Sequence, residues 1–394
     1  MKILFLPQNY FPSVSGVPVV VRYLAEGLYK KGHEVAVATC LQQGTSKHEV
    51  IAGVHVYRFK MWKDFWHIYR GDTEAYINFV MNFKADATIL ECTQCITTDL
   101  LLPHLSEING AKFFHIHGIS GLSSGNKKFW ALGGDLKHTL GHYYNWFSSK
   151  YYFAHTMKKA MPQFNATMCL SEIDDGIDYI QRYSRNNYIL DNAADNMFFD
   201  EQFSNQQTLS KYAQLENPHF MMSCANYSYI KNQKEIIRQY YLSEASKDTS
   251  LVCIGSCRNA YYDECTQVVK NMESQIGHRD VHLLFGVNRI DIPGIINKAS
   301  IYLVGSILEQ YSISIIEAMS QGVPFVSSNV GNARLLPGGV TIDNISDMHD
   351  EIDRLMGDEA YRRSYSEAGL KFAHERCRQS VATDKLERII KESL

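Results

Sequence analysis

The stretch 306–332, SILEQYSISIIEAMSQGVPFVSSNVGN, carries the pattern on which the interpretation of the fold depends. The apolar spacing in SISIIEAMSQG predicts a helix, and PFVSSNV directly after it predicts a strand. A helix followed at once by a strand is typical of the repeating unit of a parallel sheet. The stretch also holds two carboxylates, Glu309 and Glu317, with seven residues between them.

The spacing of the two carboxylates suggests a binding function. If the chain is helical from Glu309 to Glu317, it spans about 12 Å, roughly the distance from the sugar to the ribose of a nucleotide sugar. Backbone N–H groups from Ser312 to Ile316 then form a helix N-terminus, which attracts a diphosphate without any basic side chain. An isolated pair of this kind is equally explained by a solvent-exposed helix face that carries two Glu residues without any binding function. The rest of the chain has to decide between these interpretations.

Outside this stretch, β-type runs alternate with amphipathic helical patterns along nearly the whole chain. The runs of the first half are KILFLPQ, EVAVATC, HVYRFKM, ATILECT, AKFFHIHG and FNATMCLS, and those of the second half are HFMMSCAN, SLVCIGS, VHLLFGV, ASIYLVGS and PFVSSNV. This alternation predicts an α/β fold with two Rossmann-like doubly wound domains. We expect a ligand in a central cleft, outside the carboxyl ends of the strands.

The predicted domain boundaries follow from where the alternation weakens. Residues 1–191 form an N-terminal Rossmann-like domain on the acceptor side, and the polar, Asn/Gln-rich residues 192–218 form an interdomain connection. Residues 219–375 form the C-terminal domain that binds the nucleotide. The charged helical residues 376–394 are expected to pack back on the N-terminal domain.

Composition limits the classes of function. With 394 residues, 45% of them hydrophobic, the chain can bury two cores. Its formal net charge of -3 gives no case for nucleic-acid binding or a polybasic membrane anchor. The opening KILFLPQNYF predicts a strand and not a signal peptide. Nine cysteines, an odd number without a secretory signal, indicate reduced thiols and a cytoplasmic protein.

Two local patterns leave alternatives open. Cys92 and Cys95 have CxxC spacing but no second pair at zinc spacing, which favours small buried residues over a metal or redox site. The segment 123–160 is rich in aromatic residues and lysine. It fits peripheral contact with the inner face of a membrane or with a sugar chain. An ordinary amphipathic helix, which we favour, fits it too.

Four motifs then agree in order and spacing. They are PQNYFPSVSGVPVVVRYLAEGLYKKGHEV with Gly16, FFHIHG with His117, MMSCANYSYIKNQKEII with Asn226 and Lys231, and the pair Glu309 and Glu317. Together they resemble a retaining glycosyltransferase of the two-domain GT-B fold, glycosyltransferase family 4 (glycosyl transferases group 1). The resemblance extends over the whole chain.

In the first domain, the resemblance implies roles for two residues. Gly16 lies where the backbone approaches the donor diphosphate, and a glycine has no Cβ to obstruct that approach. The family usually has two adjacent glycines here, and this chain has Ser15 and Gly16. His117 is the catalytic histidine that contacts and positions the donor sugar. Its neighbour His115 is expected to point to the other face of the strand.

In the second domain, the resemblance implies that Lys231 is a catalytic cation that neutralises the departing diphosphate. The family has an arginine five residues earlier, where this chain has Asn226. Asparagine can donate hydrogen bonds to the donor but brings no charge and no guanidinium fork. Either Lys231 and backbone amides suffice, or another cation such as Arg258 or Arg334 enters the site.

The carboxylate pair completes the implied donor site. Glu309 is the third catalytic residue and accepts hydrogen bonds from sugar hydroxyls, and Glu317 accepts them from the ribose. The family's Gly-Phe-Gly after the first Glu is replaced by Gln310, Tyr311 and Ser312. The remaining donor-binding residues implied by the resemblance are Ser306, Tyr311, Ser312 and Ile313, with Gly331 and Asn332 in the following loop.

The resulting hypothesis is a hexosyltransferase. It moves a sugar from a nucleotide-sugar donor to a hydroxyl of a glycan or lipid-linked acceptor, in cell-surface polysaccharide or glycolipid synthesis. The resemblance implies retention through front-face attack. No Asp-x-Asp motif occurs, so metal independence and no cofactor are predicted. The altered loop and Asn226 keep open a catalytically impaired GT-B-fold protein that binds sugars or nucleotides. A nicotinamide dehydrogenase is disfavoured because no G-x-G-x-x-G follows the first strand.

Overall fold

The computed structural model describes most of the chain, in two compact units. The described residues are 1–13, 16–64, 68–119, 146–174, 176–204, 211–212, 215 and 220–394. The first unit comprises Met1–Asn192 and Gln379–Leu394, and the second comprises Ala193–Arg378. Most of the aromatic and lysine-rich segment 123–160 lies outside the described residues. Among the described helices, none is both long and apolar enough to cross a membrane.

The first unit is built on an eight-stranded sheet. Its spatial order is β10-β9-β8-β7-β1-β2-β4-β3, and each neighbouring pair is parallel except β3 with β4. A separate antiparallel pair is formed by β5 and β6. The strands are β1 (Lys2–Leu6), β2 (Glu34–Cys40), β3 (His48–Ile51), β4 (Val54–Phe59), β5 (Met61–Lys63), β6 (Tyr69–Gly71), β7 (Ala87–Glu91), β8 (Ala111–His115), β9 (Ala166–Cys169) and β10 (Asn187–Ile189).

Helices cover this sheet, as its continuously buried central strands require. The α-helices of the unit include α1 (Val17–Lys30), α2 (Thr73–Asn82), α3 (Ile96–Asp99), α4 (Lys158–Ala160), α5 (Ile177–Tyr183) and, from the end of the chain, α12 (Gln379–Ser393). A π-helical turn, Tyr152–Met157, leads into α4. The last helix packs against α1. Helix α3, which follows β7, is short, and a 3₁₀ helix, Leu102–Glu107, comes soon after it.

The second unit has a six-stranded, wholly parallel sheet. Its order is β13-β12-β11-β14-β15-β16. The strands are β11 (Phe220–Cys224), β12 (Ser250–Gly255), β13 (Val281–Phe285), β14 (Ile301–Val304), β15 (Phe325–Ser328) and β16 (Gly339–Ile342). The α-helices are α6 (Gln233–Leu242), α7 (Ala260–Ile276), α8 (Ile292–Lys298), α9 (Ile313–Ser320), α10 (Met348–Gly357) and α11 (Glu359–Arg376).

Apolar residues on both faces of the second sheet explain its helical layers. One buried cluster includes Phe220 and Met222 of β11, and the cluster on the other face includes Met221 of the same strand. Successive side chains of a strand point to opposite faces, so β11 contributes to both cores. This places β11 in the middle of the sheet, with β12 and β14 on either side. Its carboxyl end therefore meets the end of β14.

The segment for which the sequence predicts a connection between domains belongs to the second unit from Ala193 onward. Within it, Ala194 forms a bridge to Arg378, and Phe198 is fully buried in the core of that unit. The sequence of this segment does not indicate such packing, because its buried residues are few and are separated by asparagine and aspartate.

Candidate functional site

The centre of the candidate site lies where β11 and β14 end. Lys231 follows β11, and its Nζ bonds to Oε1 of Glu309, which follows β14. The hydroxyl of Ser306 donates to the same oxygen at 3.0 Å. Lys231 and Glu309 are 78 residues apart in the chain. Parallel strands deliver their following loops to one edge of a sheet, which is why these residues meet.

Backbone contacts hold the two loops together. The hydroxyl of Tyr302 on β14 donates to the carbonyl of Cys224 at 3.0 Å and accepts from its N–H at 3.2 Å. The N–H of Ile307 donates to the carbonyl of Ile230 at 2.8 Å. Asn232, just before α6, has φ +56° in the left-handed region. Hydrogen bonds from β14 and from the loop after it therefore fix the segment that carries Lys231.

Helix α9 presents its N-terminus next to this centre. It begins at Ile313, so the residues from Glu309 to Ser312 are not helical, and Glu317 is the fifth residue of the helix. No side chain caps its first N–H groups. The N–H of Ser312 is already bonded to Oδ1 of Asn332 at 2.9 Å. The donors available to an anion are those of the first helical turn.

Gly331 supports the loop that precedes α9. Its φ is +54°, and a Cβ built on it would lie 2.9 Å from the carbonyl oxygen of Gln310 and 3.1 Å from that of Glu309. A side chain at this position would thus displace the backbone that carries Glu309. The pair Gly331 and Asn332 holds the loop from outside.

Glu317 is buried and already has a charged partner. Arg289, in the 3₁₀ turn after β13, donates through Nη2 to Oε1 of Glu317 and through Nη1 to Oε2 at 3.4 Å. Burial raises the pKa of Glu317, and the guanidinium opposes that shift. Burial also lowers the pKa of Arg289, but the carboxylate outweighs it and the pKa is raised. The sequence did not single out Arg289, since it belongs to no motif.

The other predicted residues of the second unit are placed as follows. Asn226 is exposed, and its carbonyl accepts a hydrogen bond from Gln233 Nε2 at 3.1 Å. Ser306 and Ser312 are buried, and Tyr311 is packed against the core. Of the two alternative cations, Arg258 is exposed and paired with Asp263 at 2.7 Å, and Arg334 is exposed. Neither of them forms an ion pair with Glu309 or Glu317.

In the first unit, His117 belongs to a buried group of three. Its Nε2 lies 2.6 Å from Oε2 of Glu91, and His115 Nδ1 lies 3.1 Å from the same oxygen. Glu91 and His115 are register partners at the ends of β7 and β8. The expectation that His115 points away from His117 is wrong. Residues two apart on an extended strand share a face, and the two imidazole centroids are 4.0 Å apart.

Burial determines the protonation of this group. It lowers the pKa of His117 to about 4, and His115 adds to the shift while Glu91 opposes it. Burial alone would raise the pKa of Glu91, but donation from both histidines outweighs it, and the pKa is lowered. At neutral pH His117 is therefore an uncharged imidazole beside a carboxylate. Since its Nε2 faces Glu91, the proton lies on that nitrogen and Nδ1 is an acceptor.

The loop after β7 has a strained backbone. Cys92 has φ +64° and Gln94 φ +57°, in the left-handed region that favours glycine. The N–H of Gln94 bonds to the hydroxyl of Tyr152 at 3.3 Å, and that hydroxyl donates to Asp99 at 2.6 Å. Cys95 is a buried free thiol that donates to the carbonyl of Glu91 at 3.2 Å. Strain of this kind is concentrated at functional sites.

Gly16, the remaining predicted residue, immediately precedes α1. Its φ of +57° with ψ -131° is a conformation that a residue with a Cβ rarely adopts. A Cβ there would meet nothing within 4 Å. Backbone conformation, and not space inside the protein, thus accounts for glycine at this position.

One group of possible metal ligands occurs in the described part of the chain. The ligand atoms of Glu91, His115 and His117 lie within 4.8 Å of one another. The two histidines contact Glu91 at hydrogen-bond distances, so the carboxylate already accepts one N–H bond from each imidazole. Glu91 Oε1 and His115 Nε2 are buried without a described hydrogen-bond partner.

Known proteins resemble this chain in part of its sequence and in its fold. Residues 205–372 match the family model of glycosyl transferases group 1. A comparison with curated protein sequences finds no match. Among solved structures, sucrose-phosphate synthase from Thermosynechococcus elongatus is similar at 13% identity and a TM-score of 0.72, with 99% of this chain and 98% of that chain covered. HepE from Anabaena, in complex with UDP, is similar at 15% identity and a TM-score of 0.70, with 100% of both chains covered.

A third solved structure is a UDP-forming α,α-trehalose-phosphate synthase from Burkholderia xenovorans. It is 13% identical, with a TM-score of 0.69, and 100% of this chain and 99% of that chain are covered. At these identities the structural likeness shows the fold. Fold and family match together define the class of protein, a glycosyltransferase of the GT-B fold. The match to glycosyl transferases group 1 covers residues 205–372, which lie in the second unit, and the solved structures show the fold of the whole chain.

Proposed function

We propose that the protein is a retaining, metal-independent glycosyltransferase that uses a nucleotide-sugar donor and a hydroxyl acceptor. The observation that carries this proposal is the contact between Lys231 and Glu309 beside the N-terminus of α9. A cation, a carboxylate and unpaired backbone N–H groups at one sheet edge match the two chemical parts of such a donor, an anionic diphosphate and a polyhydroxylated sugar.

Lys231 and α9 act on the diphosphate. When the bond between the sugar and the phosphate breaks, negative charge grows on the leaving diphosphate. Lys231 Nζ and the N–H groups of the first turn of α9 stabilise that charge as it develops. In the free enzyme the ammonium is bonded to Glu309, so donor binding shifts it from a carboxylate to a phosphate.

The carboxylates act on hydroxyl groups. Glu309, released by Lys231 and still bonded to Ser306, accepts hydrogen bonds from the donor sugar. Glu317 accepts them from the ribose. We assign His117 to the donor sugar as well, where its Nδ1 is free to accept a hydroxyl proton while Glu91 holds the ring through Nε2. Glu91 thereby determines the tautomer that His117 presents.

The bond-forming step requires no carboxylate nucleophile. The acceptor oxygen attacks the anomeric carbon from the face that the diphosphate leaves, and the acceptor proton passes to a phosphate oxygen. The glycosidic bond forms as the bond to phosphate breaks, and the configuration is retained. Complexes of HepE with UDP and UDP-glucose support a uridine nucleotide as the first donor to test. A glycan or lipid-linked acceptor in cell-surface polysaccharide or glycolipid synthesis is proposed.

The first test of function is donor turnover. A panel of UDP-, GDP-, ADP- and dTDP-sugars is assayed for release of nucleoside diphosphate, by slow hydrolysis and then with candidate acceptors. Lys231→Ala is expected to lower release by about 100-fold or more, since removal of one charge-stabilising donor has effects of this size. Glu309→Ala, which removes an acceptor for the sugar hydroxyls, is expected to lower release strongly as well, because the sugar loses its position. Lys234→Ala, which removes a neighbouring lysine paired with Glu264, is the matched control and should keep full activity.

Three results would contradict the proposal. Release that survives both substitutions unchanged means that the site is elsewhere. Binding of a nucleotide sugar without any release, by folded protein, favours the impaired binding protein to which Asn226 points. Inversion of the anomeric centre in the product, measured by NMR, excludes the front-face mechanism.

A further inference from the structure

The carboxylate assigned to the ribose is occupied in the free protein. Both oxygens of Glu317 face the guanidinium of Arg289. The carboxylate is nearly inaccessible, with 5% of its side chain exposed, whereas 52% of the Arg289 side chain is exposed. A ribose cannot reach Glu317 unless this arginine moves.

The site also lacks a charge that its family supplies. Asn226 stands where a family arginine would face the diphosphate, and neither Arg258 nor Arg334 forms an ion pair with Glu309 or Glu317. In the part of the chain that the structure describes, Lys231 and Arg289 are the cations bonded to Glu309 and Glu317. Two carboxylates match these two cations, and Asp195 adds a further negative charge that acts on both Glu317 and Arg289, so the site has no excess positive charge before a diphosphate enters.

Arg289 is within reach of the diphosphate position. Glu317 is the fifth residue of α9, so it lies about 6 Å along the axis from Ile313, where the helix begins. An arginine side chain covers such a distance by rotating about its bonds. The ring of Phe198, 4.8 Å from the guanidinium, provides a flat support on which it can turn.

We propose that Arg289 is a donor-diphosphate-binding residue that replaces the arginine missing at position 226. When a donor binds, the ribose hydroxyls take over Glu317, and the guanidinium moves to the diphosphate. This inference rests on the proposed function. It assigns a specific substrate contact to a residue outside the family motifs.

The exchange conserves charge pairing. A buried carboxylate that loses its cation is strongly destabilised unless other donors replace it. The vicinal ribose hydroxyls supply two such donors, and the negative diphosphate receives the planar guanidinium fork, which binds phosphate oxygens in pairs. A nucleoside alone supplies the hydroxyls but has no phosphate to receive Arg289.

The experiment compares nucleosides with nucleoside diphosphates by isothermal titration calorimetry. Wild type is titrated with the ribonucleoside diphosphates UDP, GDP and ADP and with the matching nucleosides uridine, guanosine and adenosine. Arg289→Ala is expected to weaken the preferred diphosphate by about tenfold or more, as for loss of a charged hydrogen bond. The affinity for the matching nucleoside stays equal or increases, because the competitor for Glu317 is gone. Arg258→Ala, a surface arginine, should change neither.

A second pair of variants covers the case in which Arg289→Ala fails to fold because Glu317 is left unpaired. Glu317→Gln removes the buried charge, and the double variant Arg289→Ala with Glu317→Gln is compared with it. The double variant should still bind the diphosphate about tenfold more weakly than Glu317→Gln alone. This difference cannot come from the ion pair, which both variants lack.

The outcomes separate this inference from the proposed function. If wild type binds no nucleoside diphosphate, both fall together. If it binds one, and the removal of Arg289 weakens nucleoside and diphosphate equally or neither of them, Arg289 only holds Glu317 and this inference alone is overturned.

Discussion

The side chains around Glu91 show how one buried carboxylate defines the state of its neighbours. Glu91 lies at the end of β7, where His115 and His117 both direct a ring nitrogen at one of its oxygens. The pKa of His117 falls to about 4 through burial, so the imidazole is neutral at physiological pH. A neutral ring with a fixed tautomer is suited to positioning a sugar hydroxyl, and unsuited to acting as a cation.

This predicts acid sensitivity. His117 titrates near 6.5 in the unfolded chain and near 4 in the folded protein, so the unfolded state binds more protons between those values. The stability contribution is complete above about pH 6.5 and is lost as the pH falls towards 4. Glu91 acts in the same direction, since its lowered pKa gives stability above its unfolded value that disappears on acidification.

The measurement is the melting temperature at pH 7 and pH 5. Wild type should lose several degrees more than His117→Gln over this interval. His278→Gln, which replaces an exposed histidine, is the control and should follow wild type. Equal losses in wild type and His117→Gln would mean that His117 does not contribute to the acid sensitivity.

At the scale of elements, the loop between β14 and α9 matters most for the proposed activity. It carries Glu309 and replaces the family's Gly-Phe-Gly by bulkier residues. Its conformation is held by Asn332, which bonds to the N–H of Ser312, and by the close approach of Gly331 to the carbonyl of Gln310. The loop with Gly331 and Asn332 thus fixes the conformation of the loop that carries Glu309.

Gly331→Ala is expected to impair donor use. The Cβ would meet backbone oxygens at 2.9 and 3.1 Å and push the loop with Glu309 outward. Misplacement by about 1 Å costs on the order of 100-fold in rate, so kcat/KM for the donor should fall about 10- to 100-fold. The quantity measured is the initial rate of nucleoside diphosphate release against donor concentration.

Gly322→Ala is the matched control. Gly322 also has positive φ, +72°, but its nearest neighbour would be 3.5 Å from a Cβ, an ordinary contact. Both variants carry the left-handed backbone penalty of about 1–2 kcal/mol. Only Gly331→Ala should lower kcat/KM strongly. A similar loss in both would show that backbone strain, and not displacement of the loop, is responsible.

At the scale of the whole molecule, the chain forms two α/β units and returns to the first one at its end. Gln379–Leu394 belongs to the first unit, where α12 packs on α1. Each unit has its own mainly or wholly parallel sheet and its own core, as expected for a chain of 394 residues. The net charge of -3 shows that the chain has no overall excess of cations that could neutralise a diphosphate. Individual residues have to supply them.

Metal independence is a prediction at this scale. With Lys231, the N–H groups of α9 and, on our inference, Arg289 available to the diphosphate, no divalent cation is required for charge neutralisation. Nucleoside diphosphate release should stay within about twofold after treatment with EDTA, because the protein's own charges fulfil the role of a metal. A loss of activity that Mg²⁺ or Mn²⁺ restores would contradict it.

Much of the fold could be predicted because hydrophobic periodicity is a local property. The runs around β1, β2 and β7 and the strands from β11 to β15 appear directly as β-type segments. Short or half-exposed strands such as β3 and β16 escaped, since their alternation is too brief to be distinguished from a loop. After β7 the short helix α3 gives way to a 3₁₀ helix from Leu102, where Pro103 removes a backbone donor.

The candidate site was only partly predictable for a related reason. Lys231, Glu309 and Glu317 belong to motifs with defined spacing, so the sequence alone could suggest them. Arg289 and Glu91 belong to no motif. Their signal was at most their position immediately after or at the end of a predicted strand, which they share with many residues that have no role in binding.

The sequence by itself determined the α/β alternation, the carboxylate pair, the lysine and the absence of an arginine at position 226. Only the tertiary structure decided which charges meet. Arg289 is 28 residues from Glu317, and His117 is 26 residues from Glu91. The physical reason is that strand order and register bring such residues together at one sheet edge, and both result from packing of the whole sheet. Local patterns establish which groups are present, and long-range packing establishes their partners and hence their pKa values.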